Sequence, residues 1–346
     1  MSAGALTRRG LLLAVTAVSL YLLAPALIGV FGAFDELDRI SPLWFVAMVV
    51  LQVGSFGCAW GILRLAVRTH QWRPVILSQL AANSFGRIVP GGAATVGAVQ
   101  YSMLVRAGVP PAAAASGITA SALVVFATLL ALPLLALPAV ITGVAVDPTL
   151  TKATLAGAVV FVLMVLLGAA SVIWDRPLAM IGRGAQALLN RLRRHREPVT
   201  GLPERLLHER DLVVGVLGRK WWEALLLAAG RWVLDYLTLI AALYALGATP
   251  RVSLVLLAFC AAQLLGNLPF TPGGVGFVEA GLTGTLALAG VGGGAAVVAT
   301  LAYRLVSFWL PIPAGAVAAV IHRRRYGTEE VEPPPTPVAA PDRIPS

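Results

Sequence analysis

Residues 263–279 read QLLGNLPFTPGGVGFVE, and residues 79–97 read QLAANSFGRIVPGGAATVG. In both stretches Gln and Asn stand four residues apart on a polar stripe that precedes a Pro-Gly-Gly turn. A further glycine, Gly108 or Gly290, follows the proline of each turn by 18 residues. Proline and glycine break helices, and a broken backbone inside a bilayer must be sheltered by protein. Such paired interruptions in two halves of a membrane chain indicate a transporter-like binding site.

The composition is that of an integral membrane protein. Of the 346 residues, 58% are hydrophobic and 12% are charged, whereas a soluble domain carries about 25% charged residues. The net charge of +10 does not indicate nucleic-acid binding, because the basic residues cluster between apolar runs as a topology signal does. The two cysteines, Cys58 and Cys260, lie in apolar stretches and predict free thiols rather than a disulfide.

The pattern predicts an all-α polytopic membrane protein with about six full transmembrane helices and two re-entrant helical hairpins. The predicted spans cover residues 11–31, 43–67, 112–140, 153–174, 221–246 and 295–321. The arms of the hairpin segments, 74–107 and 252–290, are short against about 30 Å of hydrocarbon. The longer first arm of the second hairpin leaves two short full spans as an alternative there. The hairpin turns are assigned to Pro90, Gly91, Gly92, Pro272, Gly273 and Gly274.

Basic residues between the apolar runs set the predicted orientation. Arg8 and Arg9 precede a first apolar run that is longer than a secretory signal core, so an uncleaved span that starts in the cytoplasm is predicted. The basic loop 175–220 and the run 323–325 are then cytoplasmic, as are both termini, in a bacterial-type cytoplasmic membrane. With this orientation the two hairpins enter from opposite faces, which is an inverted-topology repeat.

The predicted organisation has three parts. A cytoplasmic N-terminus (1–10) precedes a membrane domain (11–325), and a disordered cytoplasmic tail (326–346) follows, since the tail has no apolar period. The loop 175–220 is predicted to carry an amphipathic helix on the anionic lipid surface. The alternative for this loop is a topology anchor without a further role.

Five polar residues are candidates for substrate binding. Asn83 and Arg87 share one face of the first hairpin arm, and Asn267 repeats the position of Asn83 in the second hairpin. Polar groups in a membrane segment must face protein or water, so this stripe either holds the hairpins together by hydrogen bonds or lines a site. In a site, the Arg87 guanidinium would bind phosphate. Glu279 follows the second turn near a helix N-terminus, and Arg304 is its expected partner.

Arg231 and Asp235 stand four residues apart in the fifth span and form a candidate ion pair on one helix face. The pair is interpreted as structural, with a contribution to the polar cavity as the alternative. Enzymatic chemistry is not indicated, because the sequence shows no metal-ligand spacing, no nucleophile–base pair and no dinucleotide motif in a suitable context. We therefore expect no catalytic residue, no metal and no cofactor.

The second half resembles a known family at Asn267, Pro272-Gly273-Gly274, Gly276, Glu279, Tyr303-Arg304 and Ser307-Phe308-Trp309. With Asn83, residues 90–92 and Gly108, this set is similar to the flippase-like membrane domain of the lysylphosphatidylglycerol synthases, which also occurs as a stand-alone protein. The resemblance covers roughly residues 10–325 and implies lipid translocation. In bifunctional members a C-terminal soluble domain transfers an aminoacyl group from tRNA to phosphatidylglycerol. This chain ends shortly after its last span, so synthase activity is not expected.

The sequence therefore predicts translocation of an anionic lipid between leaflets, the lipid being a phospholipid or a polyprenyl-phosphate-linked sugar. Arg87 and Arg304 would hold phosphate, while Glu279 would balance charge, bind a head-group amine or couple movement to protons. The expected partners are membrane lipids with anionic head groups, and no nucleic acid. The alternative is a non-transporting scaffold for a lipid- or glycan-modifying enzyme, which would bind through the loop 175–220.

Overall fold

The computed structural model describes residues 41–89, 92–132, 170, 174–192, 200–266 and 274–327. Its helices are α1 (Pro42–Ala66), α2 (Trp72–Ile88), α3 (Gly92–Arg106), α4 (Pro111–Ala131), α5 (Asp175–Leu192), α6 (Leu202–Leu217), α7 (Trp221–Ala245), α8 (Val252–Gly266), α9 (Phe277–Leu288), α10 (Gly293–Arg304) and α11 (Pro311–Tyr326). A π-helical segment, Leu305–Trp309, joins the last two. Outside the described residues lie the predicted span 11–31, most of 153–174, and Pro90, Gly91, Asn267, Pro272 and Gly273.

Four helical runs in the described part are long and apolar enough to cross a membrane. They are α1, α4, α7 and the continuous run Gly293–Tyr326 that contains α10 and α11. These runs lie at four of the predicted spans, and no strand occurs between the described residues. The all-helical, multi-pass membrane character predicted from composition is therefore confirmed.

The two halves of the described chain pack their helices in the same order. In the first half α1 contacts α2, α2 contacts α3, α3 contacts α4, and α4 returns to α1. In the second half α7, α8, α9 and α10 form the same closed series of contacts. The halves meet mainly where α1 packs against α7 and where α2 packs against α11. The repeat suggested by the two Pro-Gly-Gly turns thus extends to the packing of whole helices.

Matching backbone turns end the second arm of each hairpin. Gly108 has φ +87° and Gly290 has φ +88°, a left-handed conformation that glycine adopts without a steric penalty. The amide of Val109 donates to the Leu104 carbonyl at 3.0 Å, and the amide of Val291 donates to the Leu286 carbonyl at 3.1 Å. All four of these apolar residues are buried. Both turns are therefore Schellman motifs with their usual apolar contact, which explains the equal spacing of the two glycines in the sequence.

An aromatic cluster forms the core of the second half. The ring of Phe259 on α8 is fully buried and makes edge contacts with the rings of Trp232, Tyr236 and Tyr303. The polar tips of two of these rings are satisfied by the backbone, since Trp232 Nε1 donates to the Val125 carbonyl at 2.9 Å and Tyr236 Oη donates to the Val252 carbonyl at 2.6 Å. This cluster holds α7, α8 and α10 together beside the polar groups described below.

The basic loop contains two helices that pack against each other and against the membrane part. Arg210 on α6 forms an ion pair with Asp175 at the start of α5, with 2.6 Å between Nη1 and Oδ1. Arg68, just after α1, donates from Nη2 to the Gly215 carbonyl at 2.6 Å, and α6 also packs on α4. Apolar residues on α5, among them Met180 and Ile181, remain exposed. The loop thus contains a helix with exposed apolar residues, and its contact with the lipid surface stays a prediction.

The seam between α2 and α11 depends on the absence of a side chain at Gly315. A Cβ at this position would overlap Ser84 and the Leu80 carbonyl of α2. We expect Gly315→Ala to push the helices apart and to lower the midpoint of thermal unfolding in detergent, because overpacking costs about 1–3 kcal/mol. Gly294→Ala on α10 is the matched control, since a Cβ there meets open space. A Gly315→Ala protein as stable as the wild type would contradict this packing.

Candidate functional site

The break between α10 and α11 leaves backbone carbonyls in need of donors. Proline has no amide hydrogen, so Pro311 cannot bond the Ser307 carbonyl four residues earlier. The helix widens instead, and the amide of Leu310 donates to the Leu305 carbonyl at 2.8 Å across the π-helical turn. Such π-turns occur frequently at functional sites. This segment therefore presents main-chain acceptors to neighbouring helices.

Arg87 on α2 donates hydrogen bonds to this segment. Its Nη2 donates to the Ser307 carbonyl at 3.0 Å, and its Nη1 donates to the Phe308 carbonyl. One turn earlier, Ser84 Oγ donates to the carbonyl of Pro311 at 2.9 Å. The first hairpin is thereby tied to the interrupted helix of the second half. The two bonds from Arg87 use two of the five N–H donors of its guanidinium. The remaining donors can bind an anion.

Two guanidinium groups from different halves meet at one aromatic ring. The Cζ atom of Arg87 lies 4.9 Å from the Phe308 ring centroid, and the Cζ atom of Arg304 lies 4.1 Å from it. Both distances are within the range of cation–π attraction. The ring itself is buried. Phe308 therefore holds two like charges close together, an arrangement that a phosphate between or beside them would stabilise.

Glu279 neutralises one of these charges. Its Oε1 accepts a hydrogen bond from Arg304 Nε at 2.7 Å, and the two side chains are 15% and 9% exposed, respectively. Its Oε2 accepts from the Gly276 amide at 2.7 Å, where Gly276 precedes α9 with φ +86°. Glu279 is the third residue of α9, closer to the helix start than its spacing from the turn indicates, and there the helix dipole stabilises a negative charge. The expected Glu279–Arg304 pair is thus present.

A second buried carboxylate lies on α7. Asp235 is 7% exposed, and it accepts hydrogen bonds from Tyr303 Oη and Gln263 Nε2, each at 3.1 Å. Gln263 Nε2 also lies 2.8 Å from Tyr303 Oη. Because Tyr303 directly precedes Arg304, this cluster fixes the backbone from which Arg304 reaches Glu279.

The structure places the predicted residues unequally. Arg87, Glu279 and Arg304 come together around Phe308, and Asn83 lies on α2 one turn before Arg87, partly buried. The predicted ion pair between Arg231 and Asp235 does not form within 4 Å. The ion pairs among the described residues join Arg210 to two aspartates and Arg304 to Glu279. The Arg231 guanidinium lies over the Trp232 ring instead, 4.4 Å from its centroid.

Two features of the candidate site were not predicted from the sequence pattern. The Phe308 ring and the Ser307 carbonyl both contact the key arginines, although sequence analysis connected them only with a family resemblance. The proline at position 311 was the available signal, because it removes the donor for Ser307 and so demands another. Nothing local indicates that this donor comes from Arg87, which is 220 residues away from Ser307.

Comparisons with known proteins agree with this picture. The sequence model of the family described as "Lysylphosphatidylglycerol synthase TM region" matches residues 10–315. Two matches are to curated proteins named "UPF0104 membrane protein" from Methanothermobacter thermautotrophicus. One is 28% identical over 99 residues, or 29% of this chain and 28% of the relative. The other is 34% identical over 86 residues, or 25% and 26%. The chain thus spans about a quarter of the length of the curated relatives it matches.

Proposed function

Because this chain belongs to the lysylphosphatidylglycerol synthase transmembrane-region family, we propose that it moves an anionic lipid between the leaflets of the cytoplasmic membrane. The observation that carries the proposal is the convergence of Arg87 and Arg304 on Phe308, at the point where the helix of the second half is interrupted. Lipid transfer needs a polar path for the head group within the hydrocarbon. Guanidinium groups between two halves of a helical bundle provide such a path for phosphate.

The charge of the cluster favours an anionic ligand. Glu279 pairs with Arg304, and none of the ion pairs among the described residues includes Arg87, so a positive charge remains for a phosphate diester to balance. On the same helix as Arg87, the side-chain oxygen of Gln79 is buried without a hydrogen-bond partner in the described part. A hydroxyl or amine of a head group can donate to this oxygen. A phospholipid and a polyprenyl-phosphate-linked sugar both meet these requirements.

Two re-entrant hairpins would make the path accessible from both faces. The arms α2, α3, α8 and α9 have 17, 15, 15 and 12 residues, or about 18–26 Å at 1.5 Å per residue. Each is shorter than about 30 Å of hydrocarbon. We propose that the hairpins dip in from opposite faces and return, and that both termini are cytoplasmic, as the basic loop 175–220 favours.

Labelling of single cysteines tests this topology. After Cys58 and Cys260, both free thiols, are replaced by Ala, His70→Cys reports the mouth of the first hairpin and Thr249→Cys that of the second, since both positions are exposed. A membrane-impermeant maleimide added to intact cells should label position 249 and leave position 70 unlabelled until the cells are opened. Labelling of both positions from the same side would exclude the inverted repeat.

Reconstitution into liposomes tests the function itself. The purified full chain should accelerate the movement of a fluorescent phosphatidylglycerol between leaflets over protein-free liposomes, and Glu279→Gln should reduce the acceleration. A protein that is folded in the liposomes but transfers no phosphatidylglycerol or polyprenyl-phosphate lipid would refute the proposal. That outcome would favour the scaffold alternative, in which deletion of the loop 175–220 removes the cellular role.

A further inference from the structure

A second basic site lies at the far end of the seam between α2 and α11. An open groove there is lined by Gln71, Trp72, Arg73, Arg325 and Tyr326. The first three residues lie at the start of α2, and the last two end α11. Two guanidinium groups and two amphipathic aromatic rings thus face one space. Arginine and aromatic side chains of this kind are typical of the level of lipid head groups.

Neither of the two helices that line the groove contains a carboxylate. The chain contains no Asp or Glu from residue 39 to residue 146, and none from residue 280 to residue 328. The first range includes all of α2 and the second all of α11. Arg64 stacks on Trp72, with its Cζ 4.4 Å from the ring centroid, and so adds positive charge behind the groove. An anion therefore complements this surface.

The surface beside the groove suits acyl chains. Val317 and Ile321 are 58% and 46% exposed, and their spacing of four residues continues to Arg325, so all three lie along one face of α11. This row of two apolar side chains followed by an arginine matches a lipid, in which the acyl chains are followed by the phosphate. Free phosphate would use the arginines without the two apolar side chains.

The groove also lies on the helix that carries Arg87. Arg87 follows Arg73 by 14 positions, a distance of about 21 Å along α2. The same two helices, α2 and α11, form the seam over this length, with Ser84 bonded to Pro311 between the ends. One helix pair therefore connects a basic groove at its end with the arginine cluster at the interruption.

We propose that the groove formed by Arg73, Arg325, Trp72 and Tyr326 binds the phosphate of an anionic phospholipid of the adjoining leaflet, as the loading site for the seam. The loading role rests on the proposed translocation, whereas the binding of lipid does not. Arg73 and Arg325 bind the phosphate, and the two aromatic rings lie at the level of the glycerol backbone. The acyl chains lie along Val317 and Ile321.

Native mass spectrometry of the full chain in detergent tests the binding. Titration with phosphatidylglycerol should give a saturable complex, and the double variant Arg73→Gln/Arg325→Gln should weaken it about thirtyfold, since each arginine at a lipid surface contributes about 1 kcal/mol. The matched control is Arg323→Gln/Arg324→Gln, which removes the same charge from the end of α11 but not from the groove. This control should change the affinity less than about threefold.

Further titrations distinguish the possible sources of the anion. Phosphatidylcholine and inorganic phosphate should bind at least about tenfold more weakly than phosphatidylglycerol, and equal binding of inorganic phosphate would refute a lipid site. Equal losses in the two double variants would also overturn the proposal, because the basic run alone would then explain binding. Lipid binding that appears only after deletion of 328–346 would identify the acidic tail as the occupant. Transfer is measured separately in liposomes, so a failure of transfer and a failure of binding are distinguished.

Discussion

Replacing Glu279 by Gln should lower the free energy of unfolding by about 3 kcal/mol, because it leaves Arg304 buried without its counterion. The substitution keeps the shape of the side chain and an oxygen that can accept the Gly276 amide. What it removes is the negative charge 2.7 Å from Arg304 Nε, where the arginine side chain is 9% exposed. We expect the midpoint of thermal unfolding in detergent to fall by several degrees.

A double-mutant cycle isolates the ion pair from other effects of the substitution. The loss of unfolding free energy in the double variant Glu279→Gln/Arg304→Gln should be smaller than the sum of the losses in the two single variants, by at least about 1 kcal/mol. Glu223→Gln is the matched control, since Glu223 is also the third residue of a membrane helix, α7, and is in none of the ion pairs of the described part. It should cost about 0.5 kcal/mol, the worth of the helix dipole alone. Equal losses at Glu279 and Glu223 would contradict a paired Glu279.

Replacing Arg87 by Gln should reduce lipid transfer at least about tenfold, an effect of about 1.4 kcal/mol or more. The variant loses both the charge beside Phe308 and the donors to the carbonyls of Ser307 and Phe308. Each hydrogen bond from a charged donor contributes about 1.5–3 kcal/mol, so the protein should also unfold at a lower temperature. Transfer is measured in liposomes and thermal unfolding in detergent.

Arg87→Lys separates the two roles of this side chain. Lysine retains a point charge that can hold phosphate, but it cannot donate two bonds in the planar geometry of a guanidinium. We expect Arg87→Lys to keep more transfer than Arg87→Gln while it loses similar stability. Arg183→Gln, at an exposed position of α5, controls for the loss of one positive charge. If Arg87→Gln transferred lipid as fast as the wild type despite lower stability, the role of Arg87 would be only to connect the helices.

Much of the helix plan could be predicted because it depends on local sequence. The predicted span 43–67 became Pro42–Ala66, and the predicted span 221–246 became Trp221–Ala245. Segment length and apolar content define such spans wherever they occur. The last span was predicted as one helix, and its π-helical interruption was not, because its cause combines a local proline with an arginine from the other half of the chain.

The sequence indicated the pairing of Glu279 with Arg304 but not the arrangement of the candidate site. A charged residue in an apolar helix needs a partner, and this rule alone connects Glu279 with Arg304. The same rule connected Arg231 with Asp235 through their spacing of four, yet Asp235 is bound by Tyr303 and Gln263 instead. Hydrogen bonds from two other helices satisfy that carboxylate, and helix periodicity contains no information about them.

The sequence by itself determined that this chain is a helical membrane protein with two matching interruptions, because apolar length and the backbone chemistry of proline and glycine act locally. Only the tertiary structure decided that Arg87 binds the carbonyls near Pro311 and that it meets Arg304 at Phe308. The physical reason is that a buried donor and a buried acceptor must find each other through the packing of α2 against α11. That packing joins residues more than two hundred positions apart.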